Sequence, residues 1–111
     1  MIADFTEDDI LFVVETPLGF RVRVSRSNWE RIVALKHPVM GGKKDEVKKA
    51  LSFPDEVRLS KVDPSVCLFY LLQANRRWVC AVSKRLQEEE GFLITAYLTD
   101  VIKEGERIWP K

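Results

Sequence analysis

The sequence predicts an α+β fold in which an N-terminal β-hairpin and two α-helices precede a four-stranded antiparallel meander, with the helices packed on one face. Residues 57–99 contain four short runs rich in β-branched and aromatic residues, each bounded by turn formers, which is typical of strands. Two earlier segments instead have apolar residues at helical spacing. A chain of 111 residues has room for one hydrophobic core, so we expect a single domain over residues 1–111.

The N-terminal hairpin is predicted from two strands, residues 10–15 and 19–25. Pro17 and Gly19 set the turn between them, because proline fixes φ and glycine tolerates positive φ. Arginine and valine alternate over residues 21–24, so one side of the second strand is expected to face water.

Two helices are predicted between the hairpin and the meander. The first has Ser27 as its N-cap, and Glu30 completes a capping box. It ends near His37, because Pro38 disfavours helical backbone in the residue before it. The second helix covers residues 43–52. In the first helix Trp29, Ile32, Val33 and Lys36 lie at helical spacing, and Leu35 widens the apolar stripe. The expected buried stripe of the second helix is Val47, Ala50 and Leu51.

The predicted meander consists of residues 57–60, 66–72, 78–84 and 91–99. Because the connections between these strands are short, successive strands are expected to pair antiparallel. The two helices then bury their apolar stripes against one face of the sheet. The other face is left partly open, and a functional site is expected there.

Composition and charge narrow the functional classes. Apolar residues make up 46% of the chain and charged residues 32%, as in globular proteins. The net charge of +1 gives no overall attraction for nucleic acid, although a local basic patch would still bind it. The longest apolar run, residues 66–72, is too short to span a bilayer, and the acidic N-terminus does not resemble a signal peptide.

The cysteines and the histidine indicate the compartment and the kind of chemistry. Cys67 and Cys80 lie in predicted buried strands, where we expect them to be small core residues in a reducing cytoplasm. The chain has one histidine and no pair of residues with metal-ligand spacing, so no metal and no cofactor are expected. We therefore expect a cytoplasmic protein without a membrane contact.

His37 is the residue that most clearly indicates a catalytic function. It ends the first predicted helix, and a partly exposed imidazole there is suited to general acid or base catalysis. The alternative is a structural role, in which His37 only hydrogen-bonds the carbonyl groups of the last helical turn.

Polar side chains on the open sheet face are candidate phosphate contacts. Arg58 and Ser60 alternate with apolar residues along their strand, and Lys84 ends a run of apolar strand residues. An arginine on the open face can bind a phosphate through two hydrogen bonds. The alternative for Arg58 is an ordinary solvated strand residue.

Hydroxyl groups in the most hydrophobic strands are the third candidate group. Thr95 and Tyr97 are two residues apart and share one face, and Tyr70 can join them from a neighbouring strand. Buried hydroxyl groups need partners, so these residues indicate either a polar network or a site. The alternative is a set of amphipathic residues at a sheet edge.

Several segments together carry a resemblance to a known family. They are Trp29-x-x-Ile32, His37-Pro38, Ala50-Leu51-x-x-Pro54-Asp55-Glu56-Val57-Arg58-x-Ser60, Asp63-Pro64, Phe69-Tyr70, Lys84, Gly91-Phe92-x-Ile94-Thr95-Ala96-Tyr97-Leu98-Thr99-Asp100 and Ile108-Trp109. In this order they resemble the small phage and prokaryotic nuclease-like domains of the barnase–EndoU–colicin–RelE superfamily, over residues 19–109. The chain departs from that pattern at Val39-Met40, where an acidic residue is expected.

The resemblance implies metal-independent RNA cleavage, often by a toxin, and two helices followed by a four-stranded antiparallel sheet. The predicted catalytic residues are His37, Arg58, Lys84, Thr95 and Tyr97, and the predicted substrate contacts are Ser60 and Tyr70. In the implied reaction the RNA 2′-hydroxyl attacks the adjacent phosphate. The imidazole transfers protons, the two cationic groups hold the phosphate, and the hydroxyl groups donate hydrogen bonds to its oxygens.

Two other readings of the sequence stay open. The first is a non-catalytic module of the same fold that binds RNA or a partner protein. The second is one member of a toxin–antitoxin pair, neutralised by a small acidic antitoxin protein. His37→Ala would abolish the function of a nuclease and leave that of a binding module intact.

Overall fold

The computed structural model describes residues 9–102 and 105–110, and within these ranges it contains a seven-stranded mixed β-sheet and two short α-helices. In chain order the elements are β1 (Ile10–Glu15), β2 (Arg21–Ser25), α1 (Arg26–Arg31), α2 (Lys44–Ser52), β3 (Glu56–Leu59), β4 (Val66–Leu72), β5 (Trp78–Gln87), β6 (Glu90–Thr99) and β7 (Glu106–Trp109). The acidic segment 1–8 lies outside the described residues. No helix in the described ranges is long and apolar enough to cross a membrane.

The predicted four-stranded antiparallel meander is wrong, because the sheet has seven strands among the described residues and includes a parallel pair. The strand order is β1-β2-β6-β5-β4-β3-β7. Strands β3 to β6 do follow one another antiparallel, but β2 pairs parallel with β6, and β7 pairs with β3. The hairpin and β7 therefore cover the two edges that a four-stranded sheet would expose, which satisfies backbone groups there.

Gly91 of β6 lies where this strand closely approaches both β5 and the residue before β2. A Cβ atom at this position would lie 2.5 Å from the carbonyl oxygen of Lys84 and 3.0 Å from the ring of Phe20. Phe20 is fully buried at this junction. Only glycine permits this close approach of backbone and ring, which explains a glycine inside a strand.

The first predicted helix is shorter than expected and begins earlier. Ser25, rather than Ser27, is the N-cap of α1, and its hydroxyl accepts a hydrogen bond from the backbone N–H of Asn28 at 3.1 Å. After α1 the chain forms a π-helical turn over Ile32–Lys36. The backbone N–H of His37 closes this turn by donating to the carbonyl oxygen of Ile32 at 2.7 Å.

The π-helical turn changes which side chains face the core. Leu35 is 77% exposed, so its predicted place in the buried stripe is wrong. A turn with one extra residue rotates the following side chains relative to a regular α-helix, which moves Leu35 outward. Ile32, at the start of the turn, stays fully buried.

The core lies between the helices and one face of the sheet. Helix α2 contacts β1, β4 and β5, and α1 contacts β1 and β2. The buried stripe predicted for the second helix is confirmed, because its three residues are fully buried. The core side chains from this helix and from the facing strands include Val47, Ala50, Leu51, Phe69, Val79, Ala81 and Leu93.

Candidate functional site

The candidate site lies on the face of the sheet that points away from this core, which we call the far face. Its side chains alternate along β3 to β6 with those of the core. Cys80 of β5 is the register partner of Tyr70 on β4 and of Tyr97 on β6. These three residues, which we call the tyrosine row, cross three strands of the far face.

The tyrosine row is well packed although it lies outside the main core. Tyr70 and Cys80 are fully buried, yet neither belongs to the cluster formed with the helices. The ring of Trp78 packs edge-on against Tyr70, with 6.2 Å between ring centroids and an interplanar angle of 88°. Tyr70 is therefore packed between strand neighbours and an aromatic ring on the far face.

His37 contacts one end of the tyrosine row. Its ring centroid lies 5.7 Å from that of Tyr97, at an interplanar angle of 47°. Pairing between β2 and β6 ends at Phe92, and the short helical turn Pro38–Met40 contacts β6. The π-helical turn and Pro38 therefore bring the imidazole to the part of β6 that β2 leaves uncovered.

Tyr97 is held in its neutral form. Burial raises the pKa of Tyr97, and electrostatic interactions and hydrogen bonds with Cys80 and Tyr70 raise it further. A phenol with a raised pKa does not act as a base near neutral pH. It can instead donate a hydrogen bond to an anionic group.

Thr95 lies two residues before Tyr97, opposite Val82 of β5. Its hydroxyl oxygen is buried and has no hydrogen-bond partner among the described residues. A buried hydroxyl without a partner costs on the order of 1–3 kcal/mol. In this conformation the hydroxyl does not reach solvent, so a ligand would have to displace its surroundings to contact it.

Arg58 lies at the other end of the far face, where a carboxylate already holds it. Its Nε donates to Glu56 Oε2, and its Nη1 donates to the carbonyl oxygen of Gly105 at 2.9 Å. Glu56 is the register partner of Tyr70, so this ion pair borders the tyrosine row. Arg107 of β7 lies beside Arg58 in register and adds a second, exposed cation.

Lys84 and Ser60 are both connected to the loop between β3 and β4. The ammonium group of Lys84 donates to Asp63 Oδ2 at 3.2 Å. The Ser60 hydroxyl accepts hydrogen bonds from the backbone N–H groups of Val62 and Asp63, at 3.1 and 3.4 Å. Ser60 therefore stabilises a turn just after β3, and Lys84 is held by the same loop.

Asp63 should make stability depend on acid pH. Hydrogen bonds from the hydroxyl and backbone N–H of Ser65, and then from Lys84, lower the pKa of Asp63 to about 2. Because the folded-state pKa is below the unfolded value of about 3.9, the carboxylate stabilises the fold fully above that value. This contribution is lost as the pH falls towards about 2.

The measurement is urea unfolding of the wild type and Asp63→Asn between pH 6 and pH 2. The wild type should be the more stable protein at pH 6, and the difference should shrink as the pH falls. Ser65→Ala removes the hydroxyl donor, which is the largest cause of the shift, and should give a smaller change of the same sign. A difference that stays constant with pH would contradict this account.

The predicted site residues share a face but do not meet in one cavity. Adjacent strands lie about 4.8 Å apart. Arg58 on β3 is three strands from Thr95 on β6, so their backbones are separated by roughly 14 Å. One group on the far face consists of His37, Tyr97 and the rest of the tyrosine row. Arg58 and Lys84 lie apart from this group and from each other.

The described residues contain no metal-binding cluster, and the comparisons with known proteins give no match. Among residues 9–102 and 105–110, no three His, Cys, Asp or Glu side chains come close enough to hold a metal ion. No family model, curated protein or solved structure matches the chain. The resemblance to the barnase–EndoU–colicin–RelE superfamily stays a prediction.

Sequence reasoning missed two acidic residues and one thiol of the far face. Glu56 is two residues from Arg58, so the alternation that placed Arg58 on this face applied equally to Glu56. Asp63 lies in a turn, where no sequence periodicity could predict its contact with Lys84. Cys80 was expected in the core, and only the strand register shows it between the two tyrosines.

Proposed function

We propose that the far face binds single-stranded RNA in the cytoplasm and cleaves it without a metal ion, by attack of a 2′-hydroxyl on the adjacent phosphate. The observation that carries the proposal is the contact between the His37 and Tyr97 rings, on the same face as Arg58 and Lys84. An imidazole, a neutral phenol and two cationic side chains around one open surface support this proposal. Cys67 and Cys80 are not joined in a disulfide bond, which is consistent with a reducing compartment.

The roles follow from the chemistry of each group. His37 accepts the proton of the attacking 2′-hydroxyl and can return a proton to the leaving oxygen. Tyr97, which stays neutral, donates a hydrogen bond to a non-bridging phosphate oxygen once its O–H has turned from Cys80 and Tyr70 to the substrate. Arg58 is too distant to share that phosphate, so it binds a flanking phosphate of the same strand.

Glu56 does not serve as the partner base of His37 in this scheme. It lies on β3, whereas His37 contacts β6, and two strands separate them. A pair of groups that transfers protons at one phosphate must both be within hydrogen-bond reach of it. Glu56 instead orients the Arg58 guanidinium through their ion pair.

The proposal is tested with labelled single-stranded RNA in excess EDTA. We expect cleavage to products that end in a 2′,3′-cyclic phosphate, because the substrate carries its own nucleophile. The matched control is the same oligonucleotide with one deoxyribose at the scissile position, which should not be cleaved there. Cleavage of that bond in the control, or activity that EDTA abolishes, would contradict the proposal.

A non-catalytic binding module is the second candidate, and the ion pairs of the far face favour it. Arg58 and Lys84 are both engaged by carboxylates, and the Thr95 hydroxyl is buried. Such a module would bind RNA or a small antitoxin protein and cleave nothing. Tight RNA binding without any cleavage would support it, as would unchanged binding by His37→Ala.

Toxicity separates the two candidates in cells. A ribonuclease expressed without a neutralising antitoxin should stop growth of the host, and His37→Ala should restore growth at the same expression level. A binding module should not depend on His37 in this way.

A further inference from the structure

A cavity of about 550 Å³ adjoins the far face, between β2, α1 and β6. Its volume is within the range of small-molecule and cofactor sites. None of the predicted site residues is among the described residues that line it. The residues that line the cavity include Arg23, Asn28, Arg31, Leu86, Phe92 and Leu93.

The cavity continues the surface on which Lys84 lies. Phe92 of β6 is the register partner of Lys84 on β5 and of Arg23 on β2. A chain that crosses the far face past Lys84 therefore meets Phe92 next, and then the arginines of the cavity. The cavity and the proposed cleavage site are parts of one continuous surface.

The charged lining is cationic overall. Arg23 Nε is buried and has no hydrogen-bond partner among the described residues, while Arg23 Nη2 lies 3.8 Å from Glu90 Oε1. The Glu90 carboxylate is held more closely by Arg21, whose Nε donates to it at 3.0 Å. Arg31 donates one hydrogen bond, to Asn28 Oδ1 at 2.6 Å, and is otherwise exposed to solvent. The cavity therefore has more positive than negative charge available for an anion.

The remaining lining is apolar and includes an aromatic ring. Phe92 is partly exposed, and Leu86 is 62% exposed at the cavity rim. Aromatic rings stack on nucleobases, and guanidinium groups bind phosphates and stack on bases. A ligand that contacts both the apolar residues and the arginines of this lining has a flat apolar ring joined to an anionic group.

We propose that this cavity is a nucleotide subsite, which holds one unpaired base of the RNA strand against Phe92 and its phosphate at Arg23 and Arg31. This inference rests on the proposed function, because it assigns the subsite to the RNA that crosses the far face. It also gives a physical reason for a preference for single strands, since a base in a duplex cannot enter a cavity.

The test measures binding of a short single-stranded RNA that carries 2-aminopurine, in EDTA and at two salt concentrations. Phe92→Leu keeps an apolar side chain but removes the stacking ring, and should weaken binding roughly 5- to 150-fold. Arg31→Ala should weaken binding several-fold and reduce its salt dependence. The matched control is Arg26→Ala, because Arg26 is an exposed arginine of the same helix that does not line the cavity.

Stability and mononucleotide binding complete the test. Urea unfolding of each variant shows whether it folds. If Phe92→Leu does not fold, Arg31→Ala still tests the subsite, because Arg31 is exposed and its replacement should not disturb the fold. Wild-type affinity for RNA in both folded variants would overturn the subsite and leave the proposed function standing. If the wild type neither binds nor cleaves RNA, the proposed function fails, and titration with adenosine and uridine monophosphates decides the subsite alone. Binding of a mononucleotide to the wild type that is weakened by Arg31→Ala would support the nucleotide subsite. Failure of the wild type to bind either mononucleotide would overturn it.

Discussion

His37→Ala should lower the rate of RNA cleavage by about 10²–10⁴-fold, the usual effect of removing a general acid or base. The physical reason is that no other imidazole exists in the chain, and the phenol of Tyr97 beside it is held neutral. The measurement is the single-turnover rate on labelled single-stranded RNA in EDTA. Binding of the uncleaved RNA should change much less than the rate, because the cations of the far face are intact.

Two matched variants separate proton transfer from packing. His37→Phe preserves an aromatic ring against Tyr97 but cannot transfer a proton, so it should be as inactive as His37→Ala. Lys36→Ala removes an exposed neighbour in the same turn and should retain most of the activity. An active His37→Phe protein would show that the ring contact matters and that the imidazole is not the acid or base.

Leu51→Ala should destabilise the fold by about 2–5 kcal/mol, the usual cost of truncating a fully buried leucine. Leu51 is completely buried on α2, where the helix packs against the sheet. Removing its side chain loses apolar burial and leaves a cavity that the neighbouring strands can only partly fill. Urea unfolding measures the change in the free energy of unfolding.

The control for this experiment is Leu35→Ala, because Leu35 is the same residue type at a position that is 77% exposed. Exposed substitutions usually change stability by no more than about 0.5 kcal/mol. Similar losses for the two variants would mean that the π-helical turn does not direct Leu35 outward as described. A loss below about 0.5 kcal/mol for Leu51→Ala would place that side chain outside the core.

The strands of the C-terminal half were predictable because their signals are local. Short runs of β-branched and aromatic residues and their turns lie within residues 57–99, and antiparallel pairing of neighbours requires no long-range information. The parallel pair of β2 and β6 has no such signal, because the hydrogen-bonded side chains Arg21 and Glu90 are 69 positions apart. The predicted fold class is wrong because it did not include this parallel pair.

In the first helix and at the site, too, local sequence patterns predicted only part of the structure. Pro38 predicted where the helical region ends, but the capping pattern placed its N-cap two residues too late, at Ser27 instead of Ser25. Helical spacing assumed a regular α-helix and misplaced Leu35. Strand alternation predicted that Arg58 alternates with core residues and that Thr95 and Tyr97 share one face. It could not show that Asp63 holds Lys84, because that contact joins a loop to a strand 21 positions away.

The parallel pairing of β2 and β6 also bears on how the chain is made. During synthesis the N-terminal hairpin emerges well before β6, and domains generally fold as units on the ribosome. Pairing across such a long stretch of chain slows folding, because the entropy of closing the intervening loop opposes it. The hairpin can pack against α1 and α2 before then, but β2 has no strand partner other than β1 until Glu90 and Gly91 have left the ribosome. A nascent chain therefore cannot assemble the β2–β6 border of the far face before that point.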